Sequence, residues 1–228
     1  MDQLARQSLW LRDSWLWLLR EKVIIQSRPK ALEVGCGAGH VMDILSEQMV
    51  VTGLDNDPDM VSLCKARGLD VILGDAEKQP FPDGTFDIVY CSYLLLWLPE
   101  PERAVREMAR VSKNWVICLA EPDYGARIDY PPELESLGTA LVGDLQARGA
   151  DPFVGRKLRA IFSGVGLDPE IGVHQGVWPL EKLRTEAEGE LAWLEESARP
   201  KIRATLSAAI DDGTAFQYNP VFYAIARK

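Results

Sequence analysis

Short apolar runs alternate with helix-length stretches through the first half of the chain, and that rhythm limits the fold more than any other feature. Residues 31–35, 50–55, 69–74, 86–92 and 114–120 read as strands, with helices at 40–48, 57–67 and 101–112 between them. Strands separated by helices cannot pair as hairpins; they form βαβ crossovers into a parallel sheet that needs cover on both faces. Further on, Leu134, Leu137, Leu141, Val142 and Leu145 make a helical apolar face, 155–165 reads as a helix and 168–174 as a strand. The rhythm then breaks. Residues 180–212 read as two helices split at Arg199-Pro200, before a last strand at 216–226. The expected architecture is one doubly wound α/β domain with a helical cover over 1–28, a core over 30–176, a helical insert over 177–213 and a closing segment over 214–228.

A chain of 228 residues, 47% of them hydrophobic, buries a full core within one domain. Its 34 acidic against 25 basic residues give a net charge of -9, which repels phosphate backbones and argues against nucleic acid as partner. Cys36, Cys64, Cys91 and Cys118 are far apart and show no C-x-x-C spacing, so reduced thiols and no metal are expected. Arg6, Arg12, Asp13 and Arg20 interrupt the apolar residues from Leu4 to Ile25, which fits neither a signal peptide nor a membrane span. A cytoplasmic protein without a membrane partner is expected, its oligomeric state left open.

In open α/β sheets ligands bind beyond the carboxyl ends of the strands. The first strand runs into A-L-E-V-G-C-G-A-G-H at 31–40, a glycine-rich turn that opens a helix. Glycines let the backbone turn sharply and approach a ligand, and the helix start presents unpaired N–H groups. The second strand ends at Asp55, 20 residues beyond Gly35, where a carboxylate can accept from the two hydroxyls of a ribose. The third ends at Asp75, followed by Ala76 and Glu77; an acid and a backbone N–H there can read an adenine.

These stretches, E-V-G-C-G-A-G at 33–39, G-L-D-N-D at 53–57, G-D-A-E at 74–77 and F-D-I-V-Y-C-S at 86–92, resemble the class I S-adenosylmethionine (SAM)-dependent methyltransferases, in particular the small-molecule enzymes among them. The likeness covers roughly residues 30–120. It implies a Rossmann-like, mostly parallel seven-stranded sheet with an antiparallel last strand, and SAM as cofactor. By position it implies that Glu33 and the turn Gly35, Cys36, Gly37 and Gly39 hold the methionyl end. Asp55 with Asn56 would hold the ribose, Asp75, Ala76 and Glu77 the adenine side, and Ser92 would lie near the methionine. A dinucleotide site is the rival. Its G-x-G-x-x-G turn requires glycine at position 40, which is His40, and Glu33 would repel a diphosphate.

The acceptor side is less marked. Five of the seven tryptophans, Trp10, Trp15, Trp17, Trp178 and Trp193, fall in the N-terminal segment and the insert. They pack these segments onto the core, form a lid over an apolar substrate, or do both. Trp97 walls the pocket or fills the core. Strand five ends in Glu121-Pro122-Asp123-Tyr124-Gly125, followed by Arg127, Asp129 and Tyr130, a loop placed to touch substrate. Asp123, Tyr124, Asp129 and His174 are the candidate proton acceptors; Trp10, Trp97, Tyr124, Arg127, Tyr130 and Trp178 are the candidate substrate contacts. The N-P-P-Y type of tetrapeptide that base N-methyltransferases share has no counterpart at Ser92-Tyr93-Leu94-Leu95, and Asn219-Pro220-Val221-Phe222 reads as a turn entering a strand. The expectation is methyl transfer from SAM to an O, N, S or C atom of a small, partly apolar molecule. The alternatives are a SAM-binding regulator without turnover and a protein or peptide methyltransferase.

Overall fold

The computed structural model describes residues 9–23, 28–174 and 176–228. The expected cover over 1–28 is therefore described only in part, because 1–8 and 24–27 lie outside the described residues; its helix α1 spans Arg12–Lys22. The alternating core follows as β1 (Lys30–Val34), α2 (His40–Leu45), β2 (Val50–Asp55), α3 (Pro58–Ala66), β3 (Val71–Leu73), β4 (Phe86–Ser92), α4 (Pro101–Val111) and β5 (Ser112–Pro122). A short β6 (Ile128–Tyr130), α5 (Glu135–Ala147), α6 (Leu158–Ser163) and β7 (Pro169–Val173) come next. Then come α7 (Leu180–Leu191), α8 (Arg199–Asp211), β8 (Phe216–Tyr218) and β9 (Val221–Arg227).

Seven strands form one sheet in the order β3-β2-β1-β4-β5-β9-β7. The pairs from β3 to β5 are parallel, and β9 runs antiparallel to both β5 and β7. Period-2 alternation splits the strands between two cores. Leu32, Val34, Val89, Cys91, Val116 and Cys118 face α4, α5 and α6, whereas Ala31, Ile88, Tyr90, Ile117 and Leu119 face α1, α2 and α3. Both faces are dry, which is why β4 and β5 read as nearly unbroken apolar runs. On α4, Ala104, Val105, Met108 and Val111 are buried at helical spacing. Full burial of a Val or Met side chain contributes about 1.5–3 kcal/mol, so this stripe anchors the helix. α3 starts where Asp57 caps the Asp59 N–H at 2.8 Å ahead of Pro58.

A third core joins Leu134 and Leu137 of the α5 region to Leu183 and Leu191 of α7 and Ile202, Leu206 and Ile210 of α8. The insert thus carries its own apolar centre beside the sheet. The last strand departs from expectation. Asn219-Pro220 divides it, so Phe216–Tyr218 pairs with β6 in a separate two-stranded ribbon and only Val221–Arg227 joins the main sheet. Pro220 has no N–H for a ladder, and its carbonyl instead accepts from Asp123 N–H at 3.0 Å. The strand expected at 69–74 shortens to Val71–Leu73, and the helix expected at 155–165 is a 3-10 turn, Val154–Lys157, leading into α6.

Candidate active site

The strand order reverses between β1 and β4, which opens a crevice at their carboxyl ends. The glycine turn after β1 faces it from one side and Ser92-Tyr93 after β4 from the other. Gly35 N–H and Cys36 N–H both donate to Leu54 O, at 2.7 and 3.1 Å, which locks the turn onto the end of β2. Gly35 has φ +71°, and a Cβ there would meet Leu94 Cδ1 at 2.7 Å, so this position excludes a side chain. Gly37, with φ +50°, has nothing within 4 Å of a would-be Cβ: its outer side is open.

That open side belongs to a cavity of about 200 Å³ lined by Trp15, Glu33, Gly35, Cys36, Gly37, Ala38, His40, Val41, Ser92 and Tyr93. Two buried polar atoms on its lining residues, Trp15 Nε1 and Ser92 Oγ, have no hydrogen-bond partner among the described residues. Buried donors of this kind are normally satisfied, so the lining suits a ligand that brings acceptor oxygens, such as an amino-acid carboxylate. Glu33 is buried and accepts from Tyr90 Oη–H at 2.9 Å. Burial, reinforced by the negative charges of Asp55 and Asp43, pushes its carboxyl up to about 8 despite that hydrogen bond. An ammonium group brought beside it would restore the charged form.

Asp55 steadies the turn. Its Oδ2 accepts from Gly37 N–H at 2.7 Å and its Oδ1 from Asp57 N–H at 2.9 Å, which leaves each oxygen further acceptor capacity. Asn56 and Asp75 are exposed, and Ala76 and Glu77 half-buried, on the neighbouring strand ends, outside the enclosed cavity. Asp75 closes a local turn by accepting from Glu77 N–H at 2.8 Å. Gly39 caps α2 with φ +78° and does not line the cavity.

Tyr93 was missing from the expected site residues, and it joins the two halves of the site. It lines the 200 Å³ cavity and also two adjoining ones of about 400 and 300 Å³, on the side of the insert. Its φ of +52° is uncommon for a bulky residue and marks a strained, specified position. The end of β5 holds it there. Tyr93 N–H donates to Ala120 O at 2.8 Å, and the buried Glu121 carboxylate accepts from Leu94, Leu95 and Leu96 N–H at 2.8, 2.6 and 3.3 Å. Burial pushes Glu121 up to about 8 even against these three amides.

The two larger cavities share Trp10, Tyr93, Tyr124, Trp178 and Asn219. Trp97, Trp193, Asp144, Arg148, Glu186 and Glu190 are among the others lining the larger one; His174 and Lys182 help line the other. Trp10 and Trp178, from the cover and the insert, lie 4.8 Å apart between ring centroids at 59°. Trp15 is packed in the core, whereas Trp10, Trp178 and Trp193 line the larger cavity.

Several expected acceptor-side residues are placed elsewhere. Asp123 is buried and bound by Arg156 through Nε at 2.5 Å and Nη2 at 2.7 Å. Asp129 accepts two bonds from Arg127, at 2.7 and 2.8 Å, and Arg127 also pairs with Glu190 at 2.7 Å in a cluster away from solvent. Gln217 Nε2 donates to both oxygens of the same Glu190. Asp123, Arg127, Asp129 and Tyr130 line neither large cavity, and Tyr130 is 54% exposed on the β6 ribbon. His174 is buried with Nε2 2.7 Å from Leu119 O and Nδ1 2.6 Å from Ser14 Oγ. A carbonyl only accepts, so Nε2 carries the proton and Nδ1 accepts from the Ser14 hydroxyl; burial lowers the imidazole below its ordinary range. Tyr124 does line both cavities, and burial beside Glu121 pushes its phenol up to about 12.

Among the described residues, no helix is long and apolar enough to cross a membrane. Cys91 Sγ, Cys118 Sγ and a Glu121 carboxylate oxygen lie within 4.8 Å of one another, fully buried. The register pairing of Cys91 with Cys118 and the amide bonds to Glu121 already account for this grouping.

Residues 32–119 match a family described as the methyltransferase domain. A phosphatidylethanolamine N-methyltransferase of Cereibacter sphaeroides is 38% identical over 93 residues, a stretch covering 37% of this chain and 46% of that relative. The chain therefore spans less than half the length of this relative. The solved structure of the YcgJ protein of Bacillus subtilis has the same fold at 19% identity and a TM-score of 0.59, with 95% of this chain and 98% of that one covered. A Haemonchus contortus phosphoethanolamine N-methyltransferase 2 solved with S-adenosylhomocysteine and phosphomonomethylethanolamine superposes at a TM-score of 0.60 and 15% identity, over 95% of this chain and 52% of that one. At residues 32–119, with the seven-stranded sheet around them, the chain is thus similar to the methyltransferase domain.

Proposed function

We propose that this chain transfers the methyl group of SAM to an O, N, S or C atom of a small, partly apolar molecule held between the core, the N-terminal cover and the insert. One observation carries the reading: Tyr93 lines the cavity at the glycine turn and both aromatic cavities, so a single side chain borders the donor space and the acceptor space together. Bound SAM supplies an electrophilic methyl on a sulfonium. In this reading Glu33 faces the α-ammonium, Trp15 Nε1 and Ser92 Oγ the carboxylate, Asp55 the ribose and Asp75 with Ala76 the adenine. The 400 and 300 Å³ spaces are of the size that small-molecule sites take.

Positioning does most of the work. Asp123 and Asp129 are saturated by guanidinium groups, His174 is satisfied at both nitrogens, and Tyr124 keeps its proton at neutral pH. These groups hold the walls of the site, while in-line placement of the acceptor against the methyl lowers the barrier. The aromatic walls exclude water from the reacting centre.

Incubation with methyl-labelled SAM and fractionated metabolites tests this. Label in a small-molecule fraction supports the reading. Label in macromolecules moves the acceptor to a protein or peptide, and SAM binding without any transfer makes the chain a regulator.

A further inference from the structure

We propose that the acceptor cavity is built for an organic cation, whose positive nitrogen sits between the indoles of Trp10 and Trp178 where the Lys182 ammonium sits in this structure. The inference rests on reading this cavity as the acceptor site. Lys182 Nζ lies 4.0 Å from the Trp10 ring centroid and 3.9 Å from that of Trp178. Both distances are well inside the range at which an aromatic quadrupole attracts a cation. The two rings, 4.8 Å apart and tilted by 59°, come from segments far apart in sequence and form a wedge that holds a cation from two sides. Glu186, one turn along α7 from Lys182 and buried, lines the adjoining cavity and favours positive charge at this spot.

Lysine suits the wedge poorly. Its ammonium is compact and strongly hydrated, and it gives up part of that hydration between two indoles. Burial accordingly lowers Lys182 to about 8. An alkylated ammonium has less hydration to lose and covers more of each ring, so it displaces the lysine side chain. Lys182 stands in the first turn of α7 and is only half-buried, so its four-carbon stem can swing out to solvent. Lys182 is then a tethered stand-in that keeps the wedge filled until the acceptor arrives.

The arrangement also says which part of the acceptor is charged. Trp10 and Trp178 line the two large cavities but not the one at the glycine turn, whereas Tyr93 lines all three. The cationic nitrogen is therefore a handle held away from the cofactor turn. The atom that receives the methyl group lies on the acceptor's other end, toward Tyr93.

Tryptophan-fluorescence titrations with choline and with 3,3-dimethyl-1-butanol, a neutral molecule of the same shape, test the proposal on the unaltered chain without SAM. Choline is expected to bind at least about tenfold more tightly than the alcohol. Lys182→Met, which removes the tethered competitor together with its positive charge, is expected to raise choline affinity by about tenfold and the alcohol's by less, because only choline is also relieved of repulsion by the ammonium. Trp178→Leu is expected to abolish the preference. Equal affinity for the two probes in the unaltered chain overturns the proposal, as does unchanged or weaker choline binding in a folded Lys182→Met protein. These titrations need no turnover, so loss of the methyltransferase reading and loss of the cation site register separately: the first by labelled-SAM incubation, the second by probe preference.

Discussion

The buried carboxyl of Glu33 ties the stability of this chain to pH by an amount that can be worked out. In the unfolded chain Glu33 ionises near 4.5, and in the folded chain near 8. Between those values the folded state holds a proton that the unfolded state has released, so stability falls as pH rises. The fall is about 1.4 kcal/mol per pH unit. From pH 4.5 to pH 7 it reaches about 3 kcal/mol on these values, and it levels off above pH 8. Glu33→Gln keeps the shape and an acceptor for Tyr90 Oη–H but cannot ionise. The stability gap between variant and wild type should therefore move in favour of the variant as pH rises from 5 to 8. Over pH 5 to 8 the same values give about 3–4 kcal/mol, and for a chain of this size 1 kcal/mol corresponds to about 2–4 °C in Tm, so the gap should widen by about 7–14 °C. Parallel thermal melts at half-unit pH steps, without ligand, measure it. Comparing the two proteins cancels Glu121, which titrates in the same direction. The same variant should bind SAM at least about tenfold more weakly, because it loses the negative partner for the α-ammonium. A gap independent of pH would show that Glu33 ionises normally in the folded chain, and the argument from its burial would fail.

Asp55→Ala should weaken SAM by more than about tenfold and cost the free chain about 1–2 kcal/mol through the lost bonds to Gly37 and Asp57 N–H; unchanged SAM affinity by calorimetry would remove Asp55 from the ribose site. Tyr93→Gly should relieve the φ of +52° and offset some of the stability lost with the ring, while methyl transfer drops by more than about a hundredfold because the side chain that positions the acceptor against the methyl is gone. Retained kcat would show that Tyr93 is only a spacer. Arg127→Met leaves Asp129 and Glu190 buried without their cation and should cost about 3–5 kcal/mol in denaturant melts. SAM affinity should stay within about twofold at temperatures where the variant is folded, since Arg127 touches no part of the glycine turn.

The half proposed to hold the cofactor was legible because its determinants are local. Gly35, Gly37 and Gly39 are close neighbours in one turn, and Asp55 and Asp75 stand at the ends of consecutive strands that pair side by side. A parallel sheet with strand ends in a row turns sequence order into spatial order. What the pattern could not show is the enclosure of Glu33. An acid inside an apolar strand reads the same whether it faces solvent or Tyr90, and only the packing of α1 and its Trp15 against that face decides. The strand expected at 216–226 is split in two for a related reason. Phe216, Tyr218 and Phe222 keep strand-like composition across Asn219-Pro220, and tertiary pairing sends the two pieces to different sheets.

The cavities proposed to hold the acceptor were hidden because they are assembled from four distant places. Trp10 comes from the cover, Tyr93 from the end of β4, Tyr124 from the loop after β5, and Trp178 with Lys182 from the entry to α7. Each residue in isolation reads as ordinary: an apolar aromatic or a surface lysine. The acids and arginines of the β5 loop looked more chemical and drew attention, yet they are the ones the fold consumes. Asp123 ties the loop to Arg156 and the 3-10 turn ahead of α6, and Arg127 with Asp129 ties the β6 ribbon to Glu190 of α7. Their charge is spent on fixing where the insert sits, and the insert's position brings Trp178 onto Trp10. A substitution in that ion cluster should therefore alter acceptor affinity through the aromatic wedge while leaving the glycine turn untouched. Measuring choline and SAM affinities on the same Arg127→Met protein separates those two effects. Loss of both together would mean that the insert and the Rossmann-like core do not fold as separable layers.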